Sequence, residues 1–143
     1  MISVQRTFSV NKPVAEVIEY LADFGHAESW DPGTKSCSRI DDGPVKVGST
    51  WDNVSVFRGR ETELTYRLER RADDRLVFVG SNKTATSTDD MTFAGISTGT
   101  SITYHATIEF HGLAKLVGPL FQKEFNRLGD LTAEQMPKVI DAL

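Results

Sequence analysis

The stretch that decides the fold is GTSITYHATIEFHGLAKLVGPLFQKEFNRLGDLTAEQMPKVIDAL, Gly99–Leu143. Its first part has period two: Ile102, Tyr104, Ala106, Ile108 and Phe110 alternate with Thr103, His105, Thr107 and Glu109. A strand with one buried face produces this pattern, because successive side chains point to opposite faces. After Gly112 the period changes. Leu113, Leu116, Val117, Leu120, Phe121, Phe125 and Leu128 recur at helical spacing, followed by Leu131, Met136, Val139, Ile140 and Leu143. The spacing predicts one long amphipathic helix of about seven or eight turns. Pro119 makes it start afresh or kink one turn in, and Gly129 is a weaker point. A helix roughly 40 Å long, at ~1.5 Å per residue, must lie across a sheet to bury its stripe.

Upstream of this stretch the period stays at two. Strands are predicted near 35–41, 48–57, 61–71, 75–81 and 85–94, before the one at 99–110. The breaks are short: Asp42-Gly43-Pro44, Arg58-Gly59-Arg60, Asp73-Asp74, Ser81-Asn82-Lys83 and Ser97-Thr98-Gly99. Connections of this kind make hairpins, so sequence neighbours pair antiparallel. Residues 2–10 form a further strand, with Ile2, Val4, Phe8 and Val10 on one face and Arg6 interrupting it. Asn11 has the character of a helix N-cap, with Pro13 and Glu16 behind it. Val14, Val17, Ile18 and Leu21 follow at helical spacing up to Asp23–Gly25, then a short turn HAESW, broken by Asp31-Pro32-Gly33. The expectation is one α+β domain over 1–143: a curved seven-stranded antiparallel sheet wrapped around a long C-terminal helix, with a short helical segment after the first strand. A curled sheet and a single helix leave a cavity between them.

Composition excludes several function classes. Apolar residues are 39%, charged residues 25%, and the net charge is −4; a nucleic-acid binder carries a basic face instead. The densest basic stretch, Arg58–Arg75, holds six Arg interleaved with Glu61, Glu63, Glu69, Asp73 and Asp74, the composition of a solvated strand face. No apolar run is long enough to span a membrane. The single Cys37 and a start without a charged and then apolar leader pattern fit a cytoplasmic protein. His26, His105 and His111 have no partners at metal-ligand spacing, and glycine-rich phosphate loops and nucleophile elbows are absent. No metal or cofactor is expected. Charged strands at 48–71 discourage edge pairing, so a monomer is expected.

Two sets of residues carry candidate chemistry. With Met91 and Phe93 facing inward, period two puts Asp89 on the inward face, where a carboxyl needs a partner or a raised pKa. It either reaches water or an Arg at the strand's start, or pairs with Arg6. Trp51, Asn53, Ser55 and Phe57 share one face; if aromatic bulk decides, that face is inward and carries polar groups that orient a ligand. The alternative puts Thr50, Asp52, Val54 and Val56 inward. Cys37 reads as a buried, inert thiol.

The segments PVAEVIEYLADFGHAESWDPG, VGSTW, GTSITYHATIEFHG and LVGPLFQKEFNRLGDLTAEQ resemble the bacterial polyketide cyclase/dehydrase-like proteins. These belong to the START-related, Bet v 1-like superfamily. The resemblance implies a helix-grip fold over a hydrophobic pocket. It implies a lining of Trp51, Asn53, Tyr66, Phe78, Asp89 and Met91, closed by Tyr104, Phe121, Phe125 and Leu128, while Trp30 and its WDPG turn are structural or rim-forming. A small hydrophobic or aromatic ligand, such as a lipid or polyketide, is the implied partner. A polyketide cyclase, aromatase or dehydratase is the alternative, with Asp89, Tyr66 and Tyr104, and Arg6 as electrostatic partner, the only candidates for acid–base work. A third reading is a protein-interaction module of the chaperone ATPase activator type, acting through the 58–75 surface. No catalytic motif carries over.

Overall fold

The computed structural model describes residues 1–116 and 118–143. Seven strands form one sheet: β1 (Ile2–Val10), β2 (Thr34–Arg39), β3 (Thr50–Phe57), β4 (Arg60–Ala72), β5 (Arg75–Ser81), β6 (Ala85–Ile96) and β7 (Gly99–Phe110). All neighbours are antiparallel, in the order β1-β7-β6-β5-β4-β3-β2. From β2 to β7 each strand pairs with its sequence neighbour, as short hairpins require. The β3–β4 turn shows the mechanism: Arg58 and Gly59 both hold positive φ, 53° and 78°, the twist that matches two flanking strands. β1 closes against β7, with Ile2 opposite Ile108 and Val10 opposite Thr100.

Helix α1 (Val14–Ala22), a single 3-10 turn at Phe24–His26 and α2 (Ala27–Trp30) connect β1 to β2. Pro13, not Asn11, is the N-cap of α1 and makes no side-chain cap; the Asn11 backbone N–H instead donates to Asp141 Oδ1 at 2.8 Å. Helix α3 (Gln122–Asp141) lies over the sheet. Phe125, Met136 and Ile140 bury its apolar side.

The long C-terminal helix is shorter than its apolar spacing suggested. Residues Gly112–Leu116 and Gly118–Phe121 form 3-10 turns, Pro119 sits in the second, and α3 begins only at Gln122. Val117 lies outside the described residues. Leu113, Leu116 and Leu120, expected in the buried stripe, are 87%, 77% and 68% exposed. Helical spacing describes which residues could share a face; it does not supply a surface to cover them. Pro137 is inside α3, where it removes the N–H that would bond the Ala133 carbonyl.

The position of α3 is set by one close approach. A Cβ placed on Gly129 would stand 2.5 Å from Val4 Cγ2 on β1, well inside contact distance. Gly80 plays the same part within the sheet: a Cβ there would meet the Tyr66 ring at 2.6 Å, so the ring lies flat over the opposite strand. Gly129→Ala should therefore lift α3 from β1 and destabilise the protein by about 1–3 kcal/mol, read as a lower midpoint in urea denaturation.

Candidate functional site

The inward parities converge between the sheet and α3. β3 turns Trp51 and Asn53 inward, 0% and 2% exposed, while Val56 on the opposite parity is 39% exposed; aromatic bulk decides the face. β4 contributes Leu64, Tyr66 and Leu68, β6 Ala85, Ser87, Asp89 and Met91, and β7 Tyr104 and Ala106, all buried. The Arg-rich outer face of β4 is exposed, and its charges pair with acids: Arg67 with Glu69, Arg71 with Glu19.

A pocket of about 140 Å³ lies between this face and α3. Its walls include Tyr66, Tyr104, Phe57, Phe110 and Phe125, with Val4, Leu64, Ala106, Ile108 and Leu128 completing the apolar surface. Register gives it two unlike ends. Ala85 is opposite Phe110, and Asp89 is opposite Ala106, so the chain passes from an aromatic end at Phe57 and Phe110 to a carboxyl end at Asp89. Phe121 packs behind the aromatic end, 5.3 Å from the Phe57 ring and 5.9 Å from Phe110.

Of the residues singled out in the sequence, Tyr66, Asp89, Tyr104, Phe125 and Leu128 line this pocket. Trp51, Phe78 and Met91 are fully buried in the adjoining core: the Phe24 ring packs tilted against Phe78 with centroids 4.5 Å apart, and the Trp51 Nε1–H donates to Asp23 Oδ1 at 3.0 Å. Asn53 is tied up beside the pocket, donating to Thr34 Oγ1 and accepting from Ser55 Oγ. Cys37 is buried, and burial pushes its thiol pKa up to about 12, which leaves it a poor nucleophile.

Asp89 does not meet Arg6. The Arg6 guanidinium reaches Asp130 on α3 at 2.8 Å and the Gln5 carbonyl. Arg6 is on the concave face, opposite Tyr104, but on an edge strand, where a long side chain escapes to the rim. Nor is Asp89 at a strand's exposed start. It is mid-strand, 5% exposed, and accepts one hydrogen bond at Oδ2 from the Tyr104 hydroxyl, 3.1 Å away. Burial, then the charge of Asp31, raises its pKa to about 7, against the opposing Tyr104 hydrogen bond.

Asp31, Ser87 and Thr132 also line the pocket, and the sequence reading passed over them. Asp31 lies in the WDPG turn, which looked like a breaker. Its carboxylate holds that turn through the Gly33 N–H and the Thr34 hydroxyl, both bonds opposing the rise in pKa that burial causes. Ser87 and Thr132 had a legible signal: Ser87 is two residues from Asp89 on one strand, and Thr132 is four from Leu128 on one helix face. Burial and the Asp89 charge raise the Tyr66 and Tyr104 hydroxyls well above their ordinary values. Among the described residues no group of His, Cys, Asp and Glu is placed to hold a metal.

Residues 1–139 match the family described as polyketide cyclase / dehydrase and lipid transport. The chain belongs to this family. No curated protein matches it in sequence. Among solved structures, a START superfamily protein from Mycobacterium smegmatis superposes with a TM-score of 0.79 at 12% identity, over 98% of this chain and 97% of that one. A STAR-related lipid transfer protein from Xanthomonas axonopodis gives 0.74 at 10% identity, over 96% and 85%. The di-domain aromatase/cyclase StfQ of the steffimycin biosynthetic pathway gives 0.72 at 13% identity, over 99% of this chain and 50% of that one. At these identities the likeness is one of fold. Family and superpositions agree with the helix-grip architecture. No described helix is long and apolar enough to cross a membrane.

The raised Asp89 carboxyl has a consequence for stability. Its folded pKa, about 7, lies above the ordinary 3.8, so the native state holds this proton more tightly than the unfolded chain. Its stabilisation is complete below the ordinary value and is lost as the pH rises through about 7. Urea denaturation between those limits should show stability falling by an amount on the order of a few kcal/mol. Asp89→Asn should flatten that slope, and Tyr104→Phe should move the Asp89 midpoint higher.

Proposed function

We propose that the chain binds a small, largely apolar molecule in the pocket between the sheet and α3. The observation that carries this reading is the pocket's make-up: aromatic and aliphatic walls with a few polar groups among them and both carboxyls, Asp31 and Asp89, in the lining, the pattern of small-molecule sites. Family membership supports it, since lipid transport and polyketide chemistry both need an apolar chamber. The volume narrows the ligand. At about 140 Å³ the pocket is close to an engineered apolar cavity of about 150 Å³ that takes one benzene ring. It is smaller than the roughly 300–1,000 Å³ of drug-sized sites. The enclosed part of the ligand is therefore about one ring; a lipid tail or a multi-ring polyketide would extend beyond the pocket.

A cyclase or dehydratase is the second reading, favoured by one observation. A buried carboxyl with a pKa near 7 beside a tyrosine hydroxyl is poised to give or take a proton. Such an activity would use the same pocket, with Asp89 as the acid or base and Tyr104 orienting it.

Ala106 tests the binding reading without removing a polar group, from the position opposite Asp89. It is buried in the pocket wall, so Ala106→Leu fills pocket space. Titration of the wild-type protein with single-ring aromatic compounds should give saturable amide shifts at Tyr104, Phe125 and Leu128. The Leu variant should keep its dispersed spectrum and lose those shifts. Equal shifts in both proteins would place binding elsewhere.

A further inference from the structure

The charges around the pocket are one-sided. Asp31 and Asp89 both line it, and no Lys, Arg or His is among the lining residues. Neighbouring residues show how unusual this is for the chain. Asp90, one residue on and facing out, is gripped by Arg75 through two hydrogen bonds of 3.0 and 2.6 Å. Asp41 is held in the same way by Arg39. Asp89, far more buried than either, forms no ion pair among the described residues. Its Oδ2 is satisfied by Tyr104, while Oδ1 receives no hydrogen bond from the described residues. That oxygen opens onto the pocket, and a carboxylate set among apolar walls with no cation beside it is costly.

The groups facing Asp89 leave one kind of partner. Asp31, from the α2–β2 turn, adds negative charge. Tyr66 on β4 and Tyr104 on β7 present weakly acidic hydroxyls held neutral by burial. α3 presents Phe125, Leu128, Gly129 and Thr132, none titratable. An anionic ligand would meet two carboxyls; a neutral one can donate to Oδ1 but leaves the charge of Asp89 without a counter-charge. An ammonium group supplies both the missing charge and the N–H donors for Oδ1, and aromatic faces nearby add cation–π attraction.

We propose that the pocket's ligand is an amine bound as its ammonium ion, with the cation at Asp89 and an apolar body of about one ring running toward Phe57 and Phe110. This rests on the pocket being a ligand site, and the experiment separates the two statements. The probes are 2-phenylethylamine, 2-phenylethanol and phenylacetate, which share a ring and differ in charge. They are titrated by calorimetry and by amide-resolved NMR at about pH 8, where the carboxyl is ionised and the amine protonated. The amine should bind roughly tenfold or more tighter than the alcohol, as a charge-assisted contact predicts, and phenylacetate should give no saturable shifts. Asp89→Asn should bring the amine down to the alcohol's affinity. Lowering the pH to about 5 should weaken the wild-type amine complex by a similar factor, because the carboxyl takes up its proton.

Binding of the alcohol with no gain for the amine would overturn the proposal and leave the ligand pocket standing. So would an amine preference that survives Asp89→Asn. If none of the three probes moves the pocket amides, both readings fall.

Discussion

The interior of this protein depends on the contact between Gly129 and Val4. A single 20-residue helix must cover a seven-stranded sheet, which is more surface than it can touch. α3 therefore rests on β1, where the absence of a side chain at Gly129 lets the backbone come in, and it stands away from the strands further along. The aromatic core around Phe24, Trp51 and Phe78 fills the space at one end of the sheet. The 3-10 turns and Phe121 close against Phe57 and Phe110 at the other. What is left between is the pocket, and its size follows from how near α3 comes to the sheet.

That geometry explains why so much of the sheet was legible and so little of the helix start. Period two is a local property: Tyr104 and Ala106 face inward whatever covers them, so strands, hairpins and the inward position of Asp89 could be read from spacing alone. The segment around Leu113, Leu116 and Leu120 has helical spacing too, but a stripe becomes buried only if another surface arrives, and here none does. Pro119 and Gly118 instead favour tight turns, and Gln122 is the first residue free of them. Likewise Arg6 faces the side that its parity indicates. Its partner was not legible, because Asp130 comes within reach only when α3 crosses an edge strand.

The site was half legible for a related reason. Asp89 announced itself as a charge in an apolar pattern. Asp31 did not, because an Asp-Pro-Gly turn has a sufficient local explanation: its carboxylate does cap that turn. Both roles are filled by the same oxygens, and only the fold brings them beside a strand more than fifty residues away in the chain. The charge of Asp31 then adds to burial in raising Asp89, so the property that sets this pocket apart is invisible in either residue's neighbourhood along the chain.

The sheet order also bears on how the chain is made. The first strand has a single neighbour in the sheet, and that neighbour is the last strand: Ile2 waits for Ile108. The helix that covers β1 comes later still. A ribosome delivers Ile2, Val4 and Phe8 well before the β7 strand that pairs with them. β2 through β6 can zip as successive hairpins meanwhile. Closure is therefore a long-range event that waits for β7, the kind that folds slowly and leaves apolar surface open to other chains meanwhile. The polar residues that alternate along β1, Ser3, Gln5, Thr7 and Ser9, keep that waiting strand half hydrated on the ribosome.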